Sequence, residues 1–187
     1  MVEFNPLTRQ PDNMDLASPS QFRFNLLKTP NVEYFITSVN LPGISFSGDA
    51  AMNTPYTSIS FLGDTLDFAD LEITFLVNED LSNYREIHNW MVGIGFPKNN
   101  EQFATAVAEN SDLVTPTGDA SGNTRSLMSD ATLTILTNKN NPILRANFKN
   151  CYPFSLGGLA YNSQTTDTEQ LTATVSFKYD LYEFEVL

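Results

Sequence analysis

Three kinds of side chain in this sequence could do chemistry: a lone histidine, a lone cysteine and a group of carboxylates. His88 stands in a helical pattern with no serine or cysteine nucleophile motif beside it, so we assign it no catalytic role. Cys151 lies in the apolar stretch NCYPF, which indicates a buried, inert thiol. A single cysteine also excludes an intramolecular disulfide and a zinc site built from several cysteines.

A group of carboxylates could in principle supply a glycosidase pair or a calcium site: Asp64, Asp67, Asp70 and Glu72. Their spacing does not match an EF-hand loop, and spacing in sequence does not identify a glycosidase pair. We interpret them as the acidic face of a long strand that looks at solvent or at a shared cavity. The segment GIGF at 93–96 follows a helix instead of a strand, so it is not a phosphate loop. The sequence therefore predicts no enzyme, no cofactor and no metal.

The charge balance restricts the partners of the chain. With 22 acidic and 10 basic residues the formal net charge is -12, which excludes a protein that wraps and neutralises nucleic-acid phosphates. The 14 Phe and 7 Tyr residues favour strands, so we expect a mainly β protein. No apolar run is long enough to span a membrane, and the first residues do not form a standard secretion signal.

The elements that carry these residues are a strand and a helix between Asp64 and Pro97. Apolar residues alternate from Leu71 to Val77, after a change of phase at Ala69–Asp70 that predicts a bulge or a change of covered face. One amphipathic helix is predicted over about residues 81–93, with Asp80 or Ser82 as its N-cap. Its apolar residues recur at helical spacing: Leu81, Tyr84, Ile87 and Met91. Gly93, Gly95 and Pro97 end it.

The remaining chain predicts strands and two irregular segments. We expect a hairpin that joins 22–26 to 32–40, a second hairpin over 133–148, and a final strand over 171–181. Residues 1–20 form an extended arm, either loose or ordered against a neighbouring subunit, and 21–187 form a single domain. A loop insertion occupies about 99–130, with a short helix over 101–108.

This order of parts resembles the tail tube proteins of contractile-tailed bacteriophages. The resemblance rests on the helix EDLSNYREIHNWMVGIG with its Trp90, the segment CYPFSLGGL and the terminal TEQLTATVSFKYDLYEF. It implies a β-sandwich or barrel with one flanking helix, six copies of which form a ring with a shared β-barrel. The resemblance also implies that stacked rings form the tube of the virion tail, which assembles in the host cytoplasm with sheath and baseplate proteins as partners, and that the genome passes through without tight binding.

On this interpretation, the polar faces of two strands line the passage: Asp70, Glu72, Thr74, Thr172, Thr174 and Ser176. Lys178 departs from a uniformly acidic lining. The helix closes the subunit's own core and presents the region of Trp90 to a neighbour or to the sheath. Two alternatives stay open, namely a tube-initiating or baseplate-hub member of the same fold, and a monomeric β-sandwich binding module. An acid-pair hydrolase ranks last.

Overall fold

The computed structural model describes residues 14–48, 50–53, 55–61, 63–109, 127–163 and 170–187. The strands are β1 (Phe22–Leu26), β2 (Ile36–Val39), β3 (Ile44–Ser47), β4 (Ala50–Asn53), β5 (Ser58–Phe61), β6 (Thr65–Phe68), β7 (Leu71–Leu76), β8 (Ser129–Leu136), β9 (Pro142–Leu156), β10 (Thr172–Lys178) and β11 (Leu181–Val186). The helices are α1 (Pro30–Tyr34), α2 (Ser82–Gly95) and α3 (Asn100–Glu109). The prediction of a mainly β fold is confirmed.

Seven strands form one antiparallel sheet in the order β1-β8-β9-β10-β7-β2, and β11 pairs with β9 beside this path. The long strand β9 connects two halves, because its first part pairs with β8 and β11 while its last part pairs with β10. Strands β3 and β6 pair with each other, as do β4 and β5, and we call these two short ladders within 44–68 the ribbon. The ribbon is nested between β2 and β7 in the sequence.

The core lies between the two halves of the sheet. Every second side chain of a strand points to the same face of the sheet, so each strand buries one set of side chains in this core. The buried side chains come from both halves and from α2: Phe24, Leu26, Leu71, Ile73, Phe75, Ile87, Trp90, Leu133, Phe148, Val175 and Phe177. Trp90 lies 5.9 Å from Phe177 between ring centroids. Helix α2 therefore packs against β9 and, through Trp90, against Phe177 of β10, and this burial contributes to stability.

Two strand predictions are wrong. The segment 32–40 does not pair with β1, because its first residues form helix α1 and β1 pairs with β8 instead. Pro30 at the first helical turn favours this short helix, and the Glu33 carboxylate accepts the Leu26 backbone N–H at 3.3 Å. The final strand is also not continuous, since the chain turns at 179–180 and returns as β11 beside β9.

The predicted helix is present, and its start differs from the prediction. Leu81 occupies the N-cap position with φ 57°, and no side-chain hydrogen bond caps it. The Asp80 carboxylate instead accepts the Ser82 backbone N–H at 3.1 Å, and this bond lowers the pKa of Asp80. The Asn83 amide donates to the Leu76 carbonyl at 2.7 Å, which ties the first turn to the end of β7.

The structure has three helices in its described residues, of which only α1 was not predicted. The hairpin of β8 and β9 and the helix expected over 101–108 are confirmed, the latter as α3. The change of phase at Ala69–Asp70 is a break at which the chain leaves the ribbon and enters the main sheet. Residues 1–13 of the expected arm and 110–126 of the expected insertion lie outside the described residues.

Candidate assembly surfaces

The outward face of β2, β7, β10 and the Tyr152–Leu156 part of β9 carries mostly small hydroxyl side chains. We call it the hydroxyl face, and its polar members are Ser38, Asp70, Glu72, Thr74, Ser155, Thr172, Thr174, Ser176 and Lys178. Two apolar side chains also lie on it, namely Leu76 opposite Thr172 and the exposed Phe154 beside Lys178. Thr74 and Thr174 are directly opposed, with their Oγ1 atoms 3.4 Å apart. Thus the structure brings the six residues that sequence reasoning assigned to the passage onto one surface.

Three charged residues lie on the hydroxyl face: Asp70, Glu72 and Lys178. Lys178 Nζ lies 2.5 Å from Asp70 Oδ1, so one cation and one carboxylate form an ion pair at the end of β10. Glu72 is exposed, and its backbone N–H donates to Asn40 Oδ1 at 2.7 Å. Two carboxylates and one ammonium leave this face with a small negative charge per chain.

Both edges of this four-stranded part of the sheet are open among the described residues. Strand β2 pairs with β7 on one side only. The end of β9, Tyr152–Leu156, pairs with β10 on one side, while β8 reaches only to Cys151 on the other. Unpaired backbone N–H and C=O groups on such edges can accept another strand. The edges could therefore extend the sheet into a second copy.

The ribbon presents a second surface, which is apolar. In each of its two ladders the opposed residues place large side chains on a common face, and six of these are 46% to 62% exposed: Ile44, Phe46, Met52, Ile59, Phe61 and Leu66. The sequence analysis did not identify this face. The alternation ISFS at 44–47 against TLDF at 65–68 is the signal that could have found it.

Aromatic contacts fix the base of the ribbon to the main sheet. Phe68 packs edge-to-face against Tyr182 and Tyr179, with centroid distances of 5.6 and 6.1 Å. The Tyr182 hydroxyl donates to the Pro42 carbonyl at 3.1 Å, and the Tyr179 hydroxyl donates to the Ala69 carbonyl at 2.8 Å. Burial, followed by the neighbouring Tyr182, raises the pKa of Tyr179 to about 12. The ribbon is therefore held at its base, while the described residues leave its large apolar side chains about half exposed.

The residues predicted on helix α2 have different roles. Ile87 and Trp90 are buried, Tyr84 and Met91 pack against the core, and Leu81 lies at the N-cap outside it. The Trp90 side chain itself is only 6% exposed and belongs to the core, while a contact of the surrounding region with a neighbour or the sheath stays a prediction. A single tryptophan beside polar residues did not reveal that its helical face is the core face.

Trp90 also joins the helix to the chain that follows residues 110–126. Its Nε1–H donates to the Leu127 carbonyl at 2.6 Å, and Lys28 Nζ donates to the same oxygen at 3.3 Å. The Lys28 ammonium lies 4.8 Å from the centroid of the indole ring. Burial lowers the pKa of Lys28 to about 8. This cluster anchors the entry to β8.

The residues considered for catalysis do not form a constellation in the described part of the chain. His88 is exposed on α2, whereas Cys151 is fully buried, and burial raises the pKa of its thiol to about 12. Asp64 and Asp67 lie on the ribbon, away from the ion pair of Asp70. Among the described residues there is no group of three or more His, Cys, Asp or Glu side chains that could hold a metal. No helix in those ranges is long and apolar enough to cross a membrane.

Comparisons with known proteins give a family and a fold. A family model described as "Phage tail tube protein" matches residues 2–185. Two solved chains resemble the fold, one from the cryo-EM structure of the anti-feeding prophage baseplate, 6-fold symmetrised (9% identity, TM-score 0.55, covering 92% of this chain and 97% of that chain). The other is from the anti-feeding prophage tube terminating cap (12% identity, TM-score 0.53, covering 98% and 100%). A comparison with curated protein sequences gives no significant match. The match over nearly the whole length shows that the chain belongs to the phage tail tube protein family.

Proposed function

We propose that this chain is a structural virion protein whose copies join side by side into a hexameric ring, and that stacked rings form the tube for genome ejection. The observation that carries the proposal is the four-stranded part of the sheet, which has two open edges and a polar outer face. Such a sheet closes on itself when copies are arranged around an axis, and closure removes every free edge.

The strand directions fit this closure. Each neighbouring pair among β2, β7, β10 and β9 is antiparallel, so β2 and β9 run in opposite directions. Copies related by rotation would join β2 of one to the end of β9 of the next as another antiparallel pair. The hydroxyl face would then lie on one side of a continuous wall, and its short, mostly uncharged side chains suit a passage for DNA.

The exposed apolar side chains of the ribbon favour a self-assembling protein over the alternative of a monomeric binding module. Six large apolar side chains, each about half exposed, lie on the two short ladders of the ribbon, and so many exposed apolar groups close together in the sequence are rare on an isolated soluble protein. In the tube, a neighbouring copy would cover this face. We infer that the outer surfaces meet sheath and baseplate proteins, since one of the solved chains of this fold comes from a baseplate. The role is structural and requires no catalytic residue.

Cysteine cross-linking tests the proposed pairing of β2 of one copy with the end of β9 of the next. Ser38→Cys, combined with Phe154→Cys or Ser155→Cys, places thiols on the two edges that would meet in an antiparallel pair. Under mild oxidation we expect a ladder of disulfide-linked species that stops at the hexamer. Arg23→Cys with Ser155→Cys is the matched control, because β1 belongs to the other half of the sheet. If the control variant cross-links as efficiently as the Ser38→Cys variants, the proposed pairing of β2 with β9 is contradicted.

A further inference from the structure

Lys178 is the only lysine or arginine in the strand segments that form the hydroxyl face: Ile36–Val39, Leu71–Leu76, Tyr152–Leu156 and Thr172–Lys178. Its neighbour Phe177 is buried, so the Lys178 side chain points outward, and it is 42% exposed. A free ammonium at this position is the one cation of these segments that could pair with a phosphate, and such a charge holds a phosphate more strongly than a neutral hydroxyl does.

The structure does not leave this ammonium free. Asp70 Oδ1 lies 2.5 Å from Lys178 Nζ, and the Phe154 ring centroid lies 5.3 Å from the same nitrogen. Asp70 is 32% exposed. Its backbone is fixed independently of the ion pair, because the Asn40 side-chain amide donates to the Asp70 carbonyl at 3.1 Å. The carboxylate is therefore positioned beside Lys178 by the break between β6 and β7.

We propose that Asp70 masks Lys178, so that the hydroxyl face offers a passing nucleic acid no unpaired cation. This inference rests on the proposed function, since it assumes that the hydroxyl face lines the passage. Ring symmetry multiplies its effect, because every copy would place one ammonium at the same height, and a circle of unmasked ammonium groups would hold phosphates. The function of Asp70 is then to keep duplex DNA moving, which differs from a role in stability.

A purely structural role for the ion pair makes a different prediction. Half-exposed ion pairs contribute little to stability, on the order of 0–1 kcal/mol, so stability alone does not separate the two roles. The salt dependence of DNA retention does, because each phosphate contact by a lysine adds about 0.9 to the slope of log affinity against log salt concentration. Asp70→Asn keeps the size of the side chain and removes its charge.

Two control variants isolate the masking. Glu72→Gln removes one negative charge from the same face and leaves the ion pair intact, so it matches Asp70→Asn in net charge. Asp70→Asn combined with Lys178→Gln restores the net charge of the original chain and contains no unmasked ammonium. Only Asp70→Asn alone unmasks Lys178.

The experiment has two measurements. In the purified chain, acylation of Lys178 is followed by mass spectrometry relative to the exposed Lys139; we expect Asp70→Asn to accelerate it by about two- to fivefold, the factor expected for loss of a half-exposed ion pair. In assembled tubes, retention of a labelled short duplex is measured at several salt concentrations. We expect Asp70→Asn to retain more DNA with a steeper salt dependence, and both controls to behave like the original chain.

Each outcome is decisive. Unchanged acylation of Lys178 would show that Asp70 does not shield it and would overturn the inference whether or not tubes form. Equal DNA retention by Asp70→Asn and Glu72→Gln tubes would also overturn it, while the proposed function would stand. If the unmodified chain forms no ring, the proposed function fails and the inference about DNA fails with it, although the acylation ratio still reports the contact itself.

Discussion

The indole N–H of Trp90 donates a 2.6 Å hydrogen bond to the backbone carbonyl of Leu127, and so connects helix α2 to the residues directly before β8. Trp90→Phe keeps an aromatic ring against Phe177 and removes this donor. We expect the free energy of unfolding to fall by about 1–3 kcal/mol, because a buried bond and part of the ring contact are lost. Denaturant titration checks this, with the exposed Tyr161→Phe expected within about 0.5 kcal/mol of the original chain. If both substitutions change the free energy of unfolding equally, the hydrogen bond from Trp90 to Leu127 does not stabilise the chain.

The contact between α2 and α3 predicts opposite effects for two glycines of one helix. A Cβ atom on Gly93 would lie 2.7 Å from the Ala106 Cβ, whereas one on Gly95 would meet nothing within 4 Å. Gly93→Ala should therefore destabilise the chain by about 1–3 kcal/mol, because α3 must shift. Gly95→Ala should be neutral or stabilising by up to about 1 kcal/mol, since it removes the flexibility of glycine from a helix. Thermal denaturation of the two variants checks this difference. A Gly93→Ala variant as stable as the original chain would contradict the close contact between Gly93 and Ala106.

The buried thiol of Cys151 predicts a specific reactivity. Because burial raises its pKa from 9.0 to about 12, the thiol stays neutral in the folded chain at neutral pH. We expect no reaction with Ellman's reagent at pH 8 until the chain is unfolded, and then one thiol per chain. Rapid reaction of the folded chain would show that this side chain is accessible.

The same shift predicts how stability depends on alkaline pH. The folded-state pKa is higher than the unfolded one, so the contribution of the thiol is fully present below pH 9 and is lost as pH rises toward 12. The gap in unfolding free energy between the original chain and Cys151→Ala should narrow over this range, by at most about 1.4 kcal/mol per pH unit. A gap that stays constant above pH 9 would contradict it.

The exposed ribbon predicts a substitution that acts on assembly and not on folding. Phe46 is 62% exposed on the apolar face of the ribbon, so Phe46→Asp should change the free energy of unfolding by less than about 0.5 kcal/mol. We expect it to abolish higher-order species in sedimentation, because the charge would be buried against a neighbouring copy. Leu27 has the same exposed fraction and lies outside the ribbon, so Leu27→Asp is the control. If both variants fail to assemble, the prediction that assembly depends specifically on the ribbon is contradicted.

The sequence predicted the elements whose pattern is long and regular. The spacing of Ile87 and Met91 identified α2, and the alternation on both sides of 138–141 identified β8 and β9. Short elements escaped, because α1 buries only Val32 and has too few residues for a periodic pattern. The turn at 179–180 interrupts an alternation that continues into β11, so the sequence read as one strand.

The polar faces were predictable and the contacts between distant residues were not. Alternation alone placed Glu72 and Thr174 on faces opposite to the core, and the strand pairing then joined those faces. The Asp70–Lys178 pair depends on the break between β6 and β7, which the sequence indicated only as a change of phase. The sequence did not show that the Trp90 indole lies in the core, because a helix next to two sheet halves has no sequence signal for its own orientation.

The central claim is that copies of this chain close into rings through the open edges of the sheet. Electron microscopy of the purified full-length chain over a wide range of concentrations tests it most directly. The account predicts hexameric rings with a central passage, and stacked rings or hollow tubes if the chain is the repeated subunit. Isolated rings that never stack would favour an initiating or baseplate-hub role. A strictly monomeric protein at every concentration would contradict the account.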